Sequence, residues 1–219
     1  IFHPKMIPAI VILDPMVTTG LPPMLTAATG MDALSHSLEA WCSPAYHPMA
    51  EGIAVEGIRL VREYLPTAVA SGSDVEARTQ MLVASMMGAT AFQRGLGAMH
   101  ALAHPLGALY NAHHGTLNAV LMPYVLVANR QVIEPRIIHL ARSIDIPNAS
   151  FDSFLDWVLE LRETVSIPQN LEDLGIDDNQ ADLIGKMAEV DPSGGTNPIL
   201  FDASQYQSIF MNALNGNLS

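Results

Sequence analysis

The sequence contains a single cysteine, Cys42. That excludes an internal disulfide framework and any zinc site built from several thiolates, and it fits a reducing compartment. Aromatic residues, which strands favour, make up only 6% of the chain; the apolar content leans instead on Ala, Leu, Ile and Met, which helices accept readily. Basic side chains are scarce: the formal net charge is −12, so phosphates would be repelled and no nucleic-acid partner is expected. The plain reading of the acidic excess is solubility. The longest apolar run, residues 117–128, is broken by Pro123 and is too short to span a bilayer, so no membrane partner is expected. The first residues lack the basic, apolar and small-residue order of a signal peptide, and a cytoplasmic location is the expectation.

What is present is a chain of 219 residues, long enough to bury a sizeable core and too apolar, at 49%, for disorder. Residues 10–13 form a short β-branched run between Pro8 and Asp14-Pro15, which predicts a buried strand entering a turn. A lone strand needs a sheet, so residues 1–15 read as the residual strand and linker of another domain. The start at Ile1 rather than Met fits a fragment or a processed product. Residues 16–219 read as one all-helical domain. His47-Pro48 opens a helix with apolar positions at Ile53, Ile58, Leu60 and Val61. Ser73 with Glu76 makes a capping box for the next helix. Ser150 caps a segment in which Phe151, Phe154, Leu155, Val158 and Leu161 recur at helical spacing, and Asp177 precedes another with Leu183, Ile184 and Met187. A last helix is expected near residues 204–214, and residues 191–198, rich in Gly and Pro, read as a loop.

The chemistry-bearing residues are histidines. Four of the eight fall between positions 100 and 114: His100, His104, His113 and His114. A fifth, His36, follows Asp32 by four residues, so both side chains share one helix face and can bind one ion. An Asp/His pair at that spacing is more often a surface contact or cap, but this one lies among Ala27, Ala28, Thr29, Gly30, Leu38 and Trp41. A carboxylate buried there calls for a compensating charge, which a metal supplies. Residues 95–108 carry no charged side chain and many small ones, as expected at the centre of a packed bundle, where ligand sites are built from inward-facing side chains. Pro105 predicts a kink just at His104.

The segments Ala27-Ala28-Thr29-Gly30-Met31-Asp32-Ala33-Leu34-Ser35-His36 and Gly95-Leu96-Gly97-Ala98-Met99-His100-Ala101-Leu102-Ala103-His104-Pro105-Leu106-Gly107 resemble the two signatures of the iron-containing (group III) alcohol dehydrogenase family. The match continues through Tyr110-Asn111-Ala112-His113-His114-Gly115, with lesser echoes at Leu21-Pro22-Pro23 and Gly194-Gly195-Thr196-Asn197-Pro198. The resemblance implies a mainly α, multi-helix bundle of dehydroquinate synthase-like type, its C-terminal half, with a divalent metal on Asp32, His36, His100 and His114. His104 matches a family residue that lies by the nicotinamide and substrate without binding metal, and is thus the candidate catalytic and cofactor-binding residue. His113 is a neighbour, and His3, His47 and His139 have no implied role.

The implied reaction interconverts a small alcohol with an aldehyde or ketone, using Fe(II), or Zn, and NAD or NADP. The family's Gly-rich nucleotide-binding half has no counterpart here; Thr196 lies in Gly-Gly-Thr but without the strand–loop–helix unit of a dinucleotide fingerprint. The chain by itself is therefore expected to bind metal better than NAD(P). Two other readings stand beside this one: a helical metal-binding fragment without hydride transfer, and a metal-assisted hydrolase or lyase. A homo-oligomer is left open.

Overall fold

In the computed structural model, which describes residues 8–218, the chain folds into α-helices joined by short turns. The described residues form α1 (Pro23–Cys42), α2 (Pro48–Ala70), α3 (Val75–Ala91), α4 (Ala98–Tyr110), α5 (His114–Ser143), α6 (Phe151–Thr164), α7 (Ala181–Glu189) and α8 (Ala203–Asn215). The helical content that composition favours and the mainly α, multi-helix bundle that the resemblance implies are the observed architecture.

Helix α1 is the axis of the assembly. Small or apolar residues surround it on all sides, with Ala27, Met31, Leu34, Leu38 and Trp41 buried along its length. A helix apolar around its circumference has no solvent face and belongs inside. Helices α2, α3 and α5 pack around it, α4 lies on α5 and α7, and α8 closes against α7 and α5. Each fully buried Leu of this core, such as Leu34 or Leu38, contributes about 1.5–3 kcal/mol through removal from water.

Several local expectations hold and others need correction. Pro48 stands in the first turn of α2, and the His47 ring caps it by accepting from the Ala50 N–H. Ser150 caps α6 in a reciprocal box with Ser153, and Asp202 does the same for α8 with Gln205. Helix α3, however, is capped by Asp74 and not by Ser73; the Asp74 carboxylate accepts from Ala77 N–H, while Glu76 instead accepts from Gln80 one turn on. A charged acceptor one residue later displaced the expected serine. Asp177 precedes α7 by four residues, as expected, and its carboxylate accepts from Asn179 N–H and from the Tyr110 hydroxyl. Within the Gly- and Pro-rich loop, Pro192–Thr196 winds into a 3₁₀ turn capped by Asp191. Helix α4 runs as one element from Ala98 through Pro105 to Tyr110, so the proline does not divide the histidine-bearing helix.

The predicted strand at residues 10–13 does not form. These residues are irregular, and Ile10 and Ile12 are 79% and 84% exposed. A strand is held by backbone hydrogen bonds to a neighbour, and among the described residues there is no other strand to offer them.

Two glycines set the distances that matter for the site. A Cβ on Gly115 of α5 would lie 2.3 Å from the Ala28 carbonyl oxygen of α1, and one on Gly88 of α3 would lie 3.0 Å from the His36 Cβ. Both helices therefore pass α1 at the closest range their backbones allow. Gly115→Ala must push α5 away from α1 against rigid backbone, and we expect a loss of about 1–3 kcal/mol in urea unfolding; an unchanged midpoint and slope would show that the two helices separate without cost.

Candidate metal centre

Three helices bring the predicted residues to one place. Helix α1 presents Asp32 and His36 one turn apart, α4 presents His100, and the first residue of α5 is His114. The Asp32 Oδ2 to His36 Nε2 distance is 3.8 Å, and Asp32 Oδ1 lies 3.5 Å from His114 Nε2. Asp32, His36 and His100 each offer a ligand atom within 4.8 Å of the other two. The His36 and His100 rings stack at 5.0 Å between centroids, and His100 and His114 stand 5.2 Å apart.

Burial grades across the cluster. His100 is 1% exposed, the Asp32 and His36 side chains about one-fifth, and the His114 and His104 side chains more than two-fifths. His100 is thus the floor, and His104 with His114 the open side. His104 stays beside the cluster, its ring stacked on His114 at 5.6 Å, and its Nδ1 lies 2.8 Å from Asp191 Oδ2. That pairing occupies Nδ1 and leaves Nε2 without a hydrogen-bond partner among the described residues on this half-exposed ring.

Three residues that the sequence reading did not single out complete the arrangement. Glu39, 4% exposed, accepts from the Gly97 N–H at 2.8 Å and the Met99 N–H at 2.7 Å, and its Oε2 lies 2.7 Å from His100 Nδ1. Asn118 Nδ2 donates to Asp32 Oδ1 at 2.8 Å and lies 3.0 Å from His114 Nε2 and 3.2 Å from His100 Nε2. Its Oδ1 is buried and has no hydrogen-bond partner among the described residues. Asp191 is the third. Glu39 and Asn118 carried a usable signal: Glu39 follows His36 by three residues on the Asp32 face, and Asn118 follows His114 by four. Asp191 carried none, since the separation of 87 positions from His104 is bridged only by the fold.

The electrostatics suit a cation. Burial lowers the pKa of His36 below its ordinary 6.5, against the pull of Asp32, and burial lowers His114 in the same way. Both rings are therefore neutral, with lone pairs available, at pH 7. Burial is also the largest influence on His100 and pulls downward, but the charge and hydrogen bond of Glu39, together with Asp32 and Asp191, outweigh it and raise the pKa. One carboxylate and three imidazoles form a donor set that accepts Fe(II), Zn, Mn or Co, and the residues present fit such an ion. Cys42, buried at the end of α1 with its thiol pushed up to about 12 by burial, is not among the residues that offer ligand atoms to the cluster. The remaining histidines have other occupations: His113 caps α5, His47 caps α2 and His139 stacks on Trp41. His3 lies outside the described residues.

An all-helical domain that gathers a carboxylate and several imidazoles, each on a different turn of a helix, belongs to the class of helical bundles with a candidate metal site between their helices. More narrowly, the chain belongs to the Fe-containing alcohol dehydrogenase family: residues 26–214 match the model of its C-terminal region. It is 38% identical over 216 residues to 4-hydroxybutyrate dehydrogenase of Cupriavidus necator, covering 94% of this chain and 56% of that protein. It is 38% identical to alcohol dehydrogenase 4 of Saccharomyces cerevisiae, covering 94% and 55%. Among solved structures, 1,3-propanediol oxidoreductase superimposes with a TM-score of 0.88 at 36% identity, over 92% of this chain and 55% of that one. The iron-containing alcohol dehydrogenase from Thermococcus thioreducens superimposes with a TM-score of 0.91 at 27% identity, over 99% and 57%. The chain thus spans about half the length of the relatives it matches.

The lowered pKa of His114 has a consequence for the metal-free protein. The unfolded chain takes up a proton near pH 6.5 where folded His114 does not, so this contribution to stability is complete above 6.5 and is lost as pH falls from there to the folded value. His114→Gln should therefore lose less stability than the parent between pH 7.5 and 5.5, measured by urea unfolding in the presence of chelator. An identical drop in both proteins would contradict the assigned direction.

Proposed function

We propose that this chain is the helical, metal-binding half of an oxidoreductase that interconverts an alcohol with an aldehyde or ketone using NAD or NADP. The observation that carries the reading is the convergence of Asp32, His36, His100 and His114 from three helices. Those four residues would hold the metal, Fe(II) by family and Zn as the alternative. When bound, the divalent ion would supply Lewis acidity toward a hydroxyl or carbonyl oxygen, and a nicotinamide would supply the hydride donor or acceptor.

The chain's own residues then have distinct tasks. Asp32 contributes the one negative charge among the ligands, and the Asn118 amide holds its carboxylate in place. His100, at the floor, presents Nε2 from a ring fixed at its other nitrogen by Glu39. His104 sits on the open side with Nδ1 held by Asp191, so its Nε2 can hold or pass a proton where substrate and nicotinamide would meet. The apolar walls of α1 and α4 around these groups exclude water and strengthen each polar interaction. The length of the relatives supports assigning nucleotide binding to a separate unit, with residues 1–15 as the connection and residues 16–219 as the metal-binding domain.

Elemental analysis after anaerobic reconstitution with Fe(II) tests the metal set: about one ion per chain is expected, and His100→Ala should lose it. Equal metal in both proteins, or none in the parent, would sink the assignment. His104→Ala tests the division of labour. With the nucleotide-binding unit supplied, turnover should fall by about 10²–10⁴-fold, the usual worth of a positioned acid–base group, at nearly unchanged metal content; loss of metal would make His104 a ligand instead.

A further inference from the structure

Among the described residues Glu39 is a buried carboxylate with no Arg or Lys in a salt bridge to it. Its three partners are the Gly97 N–H, the Met99 N–H and His100 Nδ1. The first two belong to the start of α4, where unpaired N–H groups and the helix dipole favour negative charge. The third bears on chemistry. An ionised carboxylate only accepts hydrogen bonds, so the nitrogen 2.7 Å from Glu39 Oε2 must carry the proton. In the neutral ring the other nitrogen, Nε2, is then the one with a free lone pair. Asn118 agrees from the opposite side: its Nδ2, a donor, stands 3.2 Å from His100 Nε2. The orientation of that amide is set by the acceptor-only carboxylate of Asp32 at 2.8 Å.

We propose that Glu39 is the positioning residue of the metal centre: from α1 it locks His100 of α4 into the tautomer with Nδ1 protonated and Nε2 open toward Asp32, His36 and His114. The proposal rests on the metal-binding reading for its purpose, but the tautomer itself is a property of the metal-free chain. A metal-ligating histidine whose other nitrogen is held by a carboxylate is oriented and made more basic. Here the same carboxylate also fixes where α4 begins, so the position of the helix and the protonation pattern of its ligand are set by one side chain.

Glu39→Leu is the informative change because it keeps most of the volume and removes the acceptor. Without the carboxylate, His100 Nδ1 loses the partner that holds its proton, and the ring is free to carry that proton on Nε2, the nitrogen that should face the metal. Long-range ¹H–¹⁵N correlation of the imidazoles in the metal-free chain, at a pH high enough that the rings are neutral, reads the tautomer directly. The parent should show His100 protonated at Nδ1, and Glu39→Leu should show the form protonated at Nε2 rising at its expense, with Fe(II) affinity reduced by about 10–100-fold. A parent His100 protonated at Nε2 overturns the proposal, and so does a Glu39→Leu protein that keeps both the parent tautomer and the parent affinity. The parent spectrum serves even where the variant does not fold. Absence of Fe(II) binding by a parent with the Nδ1 tautomer would refute the metal reading while leaving the positioning of His100 by Glu39 established.

Discussion

The carboxylate of Glu39 reaches from the last turns of α1 to the first residues of α4, in a place that is almost wholly dry. Burying an ionised carboxylate is costly unless every lone pair facing the protein is answered. The two backbone N–H groups of Gly97 and Met99 and the ring of His100 answer it. The requirement works in both directions. Helix α4 cannot shift along α1 without leaving the charge unpaired, and the Gly97 and Met99 N–H groups at its start would lose their acceptor with the same shift. The position of His100, and through it the geometry of the candidate site, follows from this one contact.

A second set of ties holds the opposite side. Asn197 accepts from the Ala98 N–H and exchanges amide hydrogen bonds with Asn129 of α5, while Thr196 donates to the Leu96 carbonyl. The turn that carries Asp191 is therefore anchored to the same end of α4 as Glu39. Two carboxylates from distant parts of the chain each hold the Nδ1 of one histidine on that helix: Glu39 holds the buried His100 and Asp191 the half-exposed His104. The difference in burial suits one ring to fixed ligation and the other to exchange with whatever approaches from outside. Close packing by Gly88 and Gly115 keeps α3 and α5 near enough to α1 for Asp32, His36 and His114 to meet.

Much of this was legible in the residues. The i, i+4 relation of Asp32 and His36 and the charge-free setting of His100 and His104 marked the site, and the signature segments marked the family. Helical spacing and proline positions located α2, α6 and α8 closely. The errors were local or cooperative. Ser73 lost its role to Asp74 because neighbouring caps compete on a scale of about 1 kcal/mol, which residue type alone does not resolve. The run at residues 10–13 has strand composition but no strand to pair with among the described residues, and β structure is a property of pairs rather than of segments.

What the sequence determined by itself is therefore the kind of structure and the inventory of its site: a helical bundle, a carboxylate, and several imidazoles on helix faces that repeat every 3.6 residues. Only the tertiary structure decided which groups address those imidazoles. Glu39 and His100 are 61 residues apart, and Asp191 and His104 are 87 apart. Periodicity governs neighbours within a turn or two of one helix, whereas contacts at such separations exist only once α1, α4 and the turn after α7 have packed. A histidine's tautomer is set by what its second nitrogen meets, and that partner enters only through the fold.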